Sequence, residues 1–127
     1  MDVIAHGVDL VPVARIEQLL RRHGLRFLER CFSPAEQADS TGRRAAEHLG
    51  VRFAAKEAAL KALGTGLTGG IRWTDVQVLR RDSGEPMLVV TGRAAEVAAE
   101  RGISAWLVSL SHAGGFAMAS VLAGDSR

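Results

Sequence analysis

Sixteen of the 127 residues are lysine or arginine, yet only two are lysine, Lys56 and Lys61. Both stand in one stretch, RFAAKEAALKALGTG from Arg52 to Gly66, on either side of Glu57. An ammonium is a compact point charge with three donors and does not substitute for a planar guanidinium where a phosphate oxygen must be reached. A second carboxylate, Asp9, comes near the end of the apolar run Val3 to Val11. Two carboxylates from separate elements, without a histidine or cysteine cluster, suit a hard divalent cation. Magnesium takes one or two carboxylates, substrate phosphates and several waters. Lys61 beside such a site would balance charge on a leaving phosphate. The constellation suggests phosphoryl-type transfer, in which positioning and electrostatics carry most of the catalysis. Two plainer readings compete with it. Glu57 and Lys61 could form an (i, i+4) surface pair contributing ~0.2–0.5 kcal/mol, and Asp9 could turn the chain by bonding nearby backbone N–H groups.

The elements around these residues follow from periodicity. At about 100° per residue, Phe53, Leu60 and Leu63 share one side of a helix from about Ala45 to Leu63, and alanines cover most of the rest. Arg52 and Lys56 form one narrow stripe, Glu57 and Lys61 another. A helix without a continuous polar face is buried, so its charges are expected to point into an internal or interfacial site. By contrast, Arg93, Glu96 and Glu100 share one side of GRAAEVAAER, as on a solvated helix. Gly64 suits a left-handed C-terminal cap.

Val3 to Val11 reads as a strand, with Pro12 in the first turn of a helix running to about His23 and Gly24 as its stop. Arg15, Gln18 and Arg22 share the face opposite its Ile16-Leu19-Leu20 stripe. Leu25 to Phe32 reads as a short helix, and Ser33-Pro34-Ala35-Glu36 as a fresh helix start. Two strands, Asp75–Arg80 and Met87–Thr91, flank the turn signal DSGEP; a second pair, Ala105–Ser111 and Phe116–Leu122, flanks Gly114-Gly115. The expected fold class is α+β, a mainly antiparallel sheet packed with a long central helix. Length predicts a single domain, 1–127.

Composition narrows the function. A single cysteine, Cys31, rules out an internal disulfide framework and fits a reducing compartment, with the cytoplasm as the expected location. The amino terminus lacks signal-peptide features, and no apolar run reaches the ~20 residues of a membrane span. Net charge is +2, tyrosine is absent and aromatics make up 5% of the chain, so the stacking platforms of nucleic-acid binders are missing. No serine sits on a strand-to-helix elbow. The glycine-rich stretch from Gly64 to Gly70 follows a helix instead of opening one, unlike a phosphate-binding loop. A lone histidine at a strand end, His112 in SLSH, is by default structural or merely exposed.

Three segments in order, GVDLVPVARIE from Gly7, RFAAKEAALKALGTG from Arg52 and SLSH from Ser109, together resemble holo-acyl-carrier-protein synthase, the short single-domain type of 4′-phosphopantetheinyl transferase. The likeness covers nearly the whole chain. It implies transfer of phosphopantetheine from coenzyme A to a serine hydroxyl of an acyl carrier protein, release of adenosine 3′,5′-bisphosphate, and a homotrimer with sites between neighbouring subunits. It implies Asp9 and Glu57 as magnesium ligands and Lys61 near the pyrophosphate. Gly64, Thr65 and Gly66 match the loop along coenzyme A; Arg52 and His112 match positions beside the adenosine and its 3′-phosphate. Arg15 and Arg22 match the arginines that dock the acidic carrier helix. The chain departs from the pattern at Ala113-Gly114-Gly115 and in the stretch from Ala38 to Gly50. A non-catalytic module for an acidic helical partner and a metal-dependent nucleotide hydrolase are the alternatives. The first leaves Asp9, Glu57 and Lys61 unused, the second the arginine face.

Overall fold

Strand β1, Asp2–Pro12, opens the computed structural model, which describes residues 1–126. Pro12 is the extended residue just before α1 (Val13–His23), one position outside the expected first turn, and Gly24 ends that helix at φ 50°. Helix α2 (Leu25–Cys31) follows. Helix α3 (Pro34–Ala38) begins with the expected reciprocal cap. The Glu36 N–H donates to Ser33 Oγ at 3.3 Å, and the Ser33 N–H donates to Glu36 Oε1 at 3.0 Å. Helix α4 spans Ala45–Leu63 and ends on Gly64 in the left-handed conformation, φ 77°. A short turn at Trp73–Asp75 leads to the hairpin β2 (Val76–Arg80) and β3 (Pro86–Val90). Helix α5 (Gly92–Glu100) and the hairpin β4 (Ala105–Ala113) and β5 (Phe116–Asp125) complete the chain.

The main sheet has the order β1-β5-β4, antiparallel throughout, so the first strand pairs with the last. Strands β2 and β3 form a separate two-stranded sheet. Alternation sends Gly7, Val11, Ala117, Ala119, Val121 and Ala123 to one buried face. That face is made of small side chains because α4 lies directly on it. A Cβ on Gly7 would stand 1.9 Å from the Ala58 carbonyl oxygen, and one on Gly50 would stand 3.2 Å from Ala117 Cβ. Any side chain at Gly7 would lift β1 off the helix. The alanines of α4 meet the sheet on this side, while Leu49, Phe53, Leu60 and Leu63 fill the remaining core. The central helix is therefore enclosed nearly all round, as its missing polar face predicts. A Leu63→Ala truncation in such a core costs about 2–5 kcal/mol. Among the described residues no helix is long and apolar enough to cross a membrane.

Candidate functional site

The close approach at Gly7 delivers Asp9 to the exposed end of α4. Lys61 Nζ donates to Asp9 Oδ1 at 3.1 Å and to the Val8 carbonyl at 3.0 Å. The ion pair of Lys61 thus runs across to β1, and the plainer (i, i+4) pairing with Glu57 does not occur. Nor does Asp9 act as a local turn residue. Glu57 lies one turn before Lys61 and is half-buried. Burial, then the nearby negative charge of Asp9, raise its carboxyl above the ordinary range, against the opposing pull of Lys61 and Arg15. Two acids and one cation, 52 residues apart at the Lys61–Asp9 contact, therefore share one electrostatic neighbourhood.

Past Lys61 the helix ends in a loop whose glycines need positive φ, 77° at Gly64 and 60° at Gly66. Thr65 Oγ1 donates to the Gly66 carbonyl at 3.1 Å, and Thr68 Oγ1 donates to the Thr65 carbonyl at 2.8 Å. These bonds shape the turn beside Lys61 from its own side chains.

Arg52 and Glu57 are five residues apart, about 140° around the helix, so Arg52 belongs to a different flank. Its side chain is buried at 3% exposure; Nη1 donates to the His48 carbonyl at 3.0 Å, and Nη2 lies 3.9 Å from Asp39 Oδ2. Its Nε is buried without a hydrogen-bond partner. His112 projects from the end of β4 toward the start of α4, where Nδ1 stands 3.2 Å from Glu47 Oε2. Arg52 and His112 line one cavity of about 340 Å³, together with His48, Arg80, Pro86 and Ser111. That size is at the low end for a ligand pocket.

Lys56 occupies the Arg52 flank of the helix. The charges of α4 are expected to point into an internal or interfacial site, and Lys56 does point inward, fully buried and away from Glu57. Its Nζ donates to Glu36 Oε1 at 2.7 Å, to the Trp73 carbonyl at 3.2 Å and to the Val76 carbonyl. Glu36 Oε2 accepts from the Val78 N–H at 3.0 Å. The acid and ammonium tie α3, α4 and β2 together. Burial holds the lysine below its ordinary pKa, against the opposing pull of Glu36. Glu36 escaped sequence reasoning because its capping role already accounted for it.

Of the first-helix arginines, Arg15 lines a groove of about 360 Å³ with Leu19, Arg26, Phe27, Arg30 and Trp73. Arg22 is exposed but lies outside that groove. The cations that join Arg15 are Arg26 and Arg30 of α2. Their (i, i+4) spacing beside an apolar Phe27 was the available signal.

Among the described residues no group of three or more His, Cys, Asp or Glu side chains is placed to hold a metal alone. Asp9 and Glu57 supply hard oxygen donors, and the negative charge of Asp9, which helps raise the Glu57 carboxyl above its ordinary range, favours a cation between them. A pair suits magnesium that keeps waters and substrate phosphates as its other ligands, so the residues fit.

An α+β fold with paired acids beside a lysine on its central helix, and a basic cavity on the other flank, defines a class. The chain belongs to the 4′-phosphopantetheinyl transferase superfamily, whose family model matches residues 5–120. Within that superfamily its relatives are holo-[acyl-carrier-protein] synthases. The chain is 49% identical to the holo-[acyl-carrier-protein] synthase of Desulforudis audaxviator over 95% of this chain and 92% of that protein. It is 44% identical to that of Koribacter versatilis over 97% and 99%. Among solved structures, the holo-[acyl-carrier-protein] synthase of Neisseria meningitidis superposes with a TM-score of 0.86 at 30% identity, over 97% of this chain and 99% of that one. The Helicobacter pylori synthase in complex with coenzyme A gives 0.83 at 30%, over 94% and 99%.

Proposed function

We propose that this single transferase domain, residues 1–127, moves 4′-phosphopantetheine from coenzyme A to a serine hydroxyl of an apo acyl carrier protein in the cytoplasm and releases adenosine 3′,5′-bisphosphate. The observation that carries the reading is the meeting of Asp9, Glu57 and Lys61 at the open end of α4. Asp9 and Glu57 would hold Mg²⁺, which supplies charge neutralisation at the coenzyme A pyrophosphate. Lys61, fixed on the Val8 carbonyl and Asp9, places its ammonium where the leaving phosphate gains charge. The serine oxygen forms a bond to the phosphorus that bears pantetheine, and the bond from that phosphorus to the oxygen of the nucleotide phosphate breaks. The serine proton passes to Glu57 or to a water molecule. Gly64, Thr65 and Gly66 form the loop along the pantetheine side.

Arg52 and His112 are the residues for the adenosine and its 3′-phosphate. They lie on the flank of α4 away from Glu57, which supports a site shared between neighbouring subunits of a homotrimer. The outer face of the β1-β5-β4 sheet supplies an apolar surface for that assembly, with Val8, Leu10, Leu107, Phe116 and Met118 all exposed in the protomer. The carrier, of fatty acid or polyketide synthesis, meets the groove with its acidic helix against Arg15, joined by Arg26 and Arg30, and with Arg22 at the margin. The test is release of adenosine 3′,5′-bisphosphate measured with and without an apo-carrier. Release that needs the carrier supports transfer; equal release without it means a hydrolase.

A further inference from the structure

The cavity on the Arg52 flank contains more positive charge than the motif residues account for. Arg52, Arg80, His48 and His112 all line it, and no lining residue is acidic. Two of these groups are compensated from outside, Arg52 by Asp39 and His112 by Glu47. Burial, Arg52 and Arg80, in that order, hold the His48 imidazole below its ordinary pKa.

Arg80 differs from its neighbours. It is the last residue of β2, opposite Pro86 across the hairpin, and it makes no ion pair among the described residues. The hairpin does contain an acid, but Glu85 Oε1 lies 3.5 Å from Nε of the adjacent Arg81 instead. Arg52, on the same cavity, lies within reach of the Arg80 charge, and two guanidiniums lining one small cavity repel each other. An anion with several acceptor oxygens relieves that repulsion, and a guanidinium fork matches phosphate geometry.

Taking the nucleotide reading of Arg52 and His112 as its basis, we propose that Arg80 is a further specificity-determining residue. It binds the 3′-phosphate of the coenzyme A nucleotide together with Arg52, so that the chain selects coenzyme A over 3′-dephospho-coenzyme A.

The test compares kcat/KM for coenzyme A and for 3′-dephospho-coenzyme A in the wild type, Arg80→Gln and Arg80→Lys, with thermal melts confirming that each variant folds. The wild type should prefer coenzyme A. Arg80→Gln should cut the ratio of the two kcat/KM values about tenfold, the scale of one charge-assisted hydrogen bond, and Arg80→Lys should restore part of it. A wild type that discriminates and an Arg80→Gln variant that keeps the full ratio would overturn the role of Arg80 while leaving the nucleotide reading intact. A wild type that uses both forms equally would overturn the 3′-phosphate reading of the cavity and the role of Arg80 with it.

Discussion

Helix α4 sends two lysines to carboxylates elsewhere in the chain, and the two pairs have opposite characters. Lys56 and Glu36 are both wholly buried, 2.7 Å apart, with backbone groups of Trp73, Val76, Ser33 and Val78 completing their hydrogen bonds. Lys61 and Asp9 are 3.1 Å apart, and the lysine side chain is 55% exposed. In a dry environment an ion pair must be satisfied on every side or it destabilises the fold. In a wet one it contributes little to stability and its partners remain open to exchange. The difference separates an internal tie from a site: only the second pair can give up contacts to a ligand.

That contrast is broken most directly by removing each lysine in turn. Lys56→Met strands the Glu36 charge and should cost about 3–5 kcal/mol, a large part of the ~5–15 kcal/mol typical of a domain. Lys61→Met should cost no more than about 1 kcal/mol. Chemical denaturation measures both, and equal losses would erase the distinction.

Next in size is the chemistry on the exposed side. Glu57→Gln should lower turnover by at least ~10²-fold, the scale of losing an electrostatic stabiliser, without loss of folded protein by circular dichroism. Near-normal carrier loading by the variant would falsify the role given to Glu57.

The arginine groove sharpens the comparison from a third side, because Arg15, Arg26 and Arg30 are all exposed along it. Arg15→Glu should raise the carrier KM several-fold at low salt while coenzyme A binding stays intact, and the effect should shrink as salt screens the steering field. An unchanged carrier KM at low salt would make Arg15 a solvated side chain only.

The smallest effect is a pH dependence. The folded-state pKa of Glu57 is raised, chiefly by burial and then by Asp9. The unfolded chain therefore releases this proton at lower pH than the folded one. Stability of the metal-free protein falls as pH rises from about 4.3 through the raised value, and the penalty is constant above it. Melting temperatures of wild type and Glu57→Gln in chelator should converge below that window and separate above it, with the variant higher. A variant that melts lower throughout would contradict the assignment of strain to this carboxylate.

Much of this was legible from residue order. Periodicity located the enclosed helix, the two hairpins and the solvated α5, where Arg93 indeed pairs with both Glu96 and Glu100. Glycine and serine chemistry located the caps at Gly64 and Ser33. Lys61 reaches Asp9 across to β1, and Glu57 lies under the charge of both. Helical spacing could state which flank Lys56 occupies but not what covers that flank, so its internal partner was invisible until α3 was packed against α4. The same limit hid Glu47 behind His112. Pairing of β1 with β5 joins opposite ends of the chain, where local pattern has no reach. Gly7 stood in plain view within GVDL, but its reason, the Ala58 carbonyl pressed against its α-carbon, exists only once strand and helix meet.

The central claim, that Asp9 and Glu57 jointly seat the cation on which transfer depends, is tested by intact-mass spectrometry of an apo-carrier incubated with coenzyme A. Wild type in magnesium should add one phosphopantetheine unit to the carrier. Wild type in excess chelator, Asp9→Asn and Glu57→Gln should each leave the carrier mass unchanged over the same interval. Loading at the wild-type rate in chelator or by either variant would contradict the account.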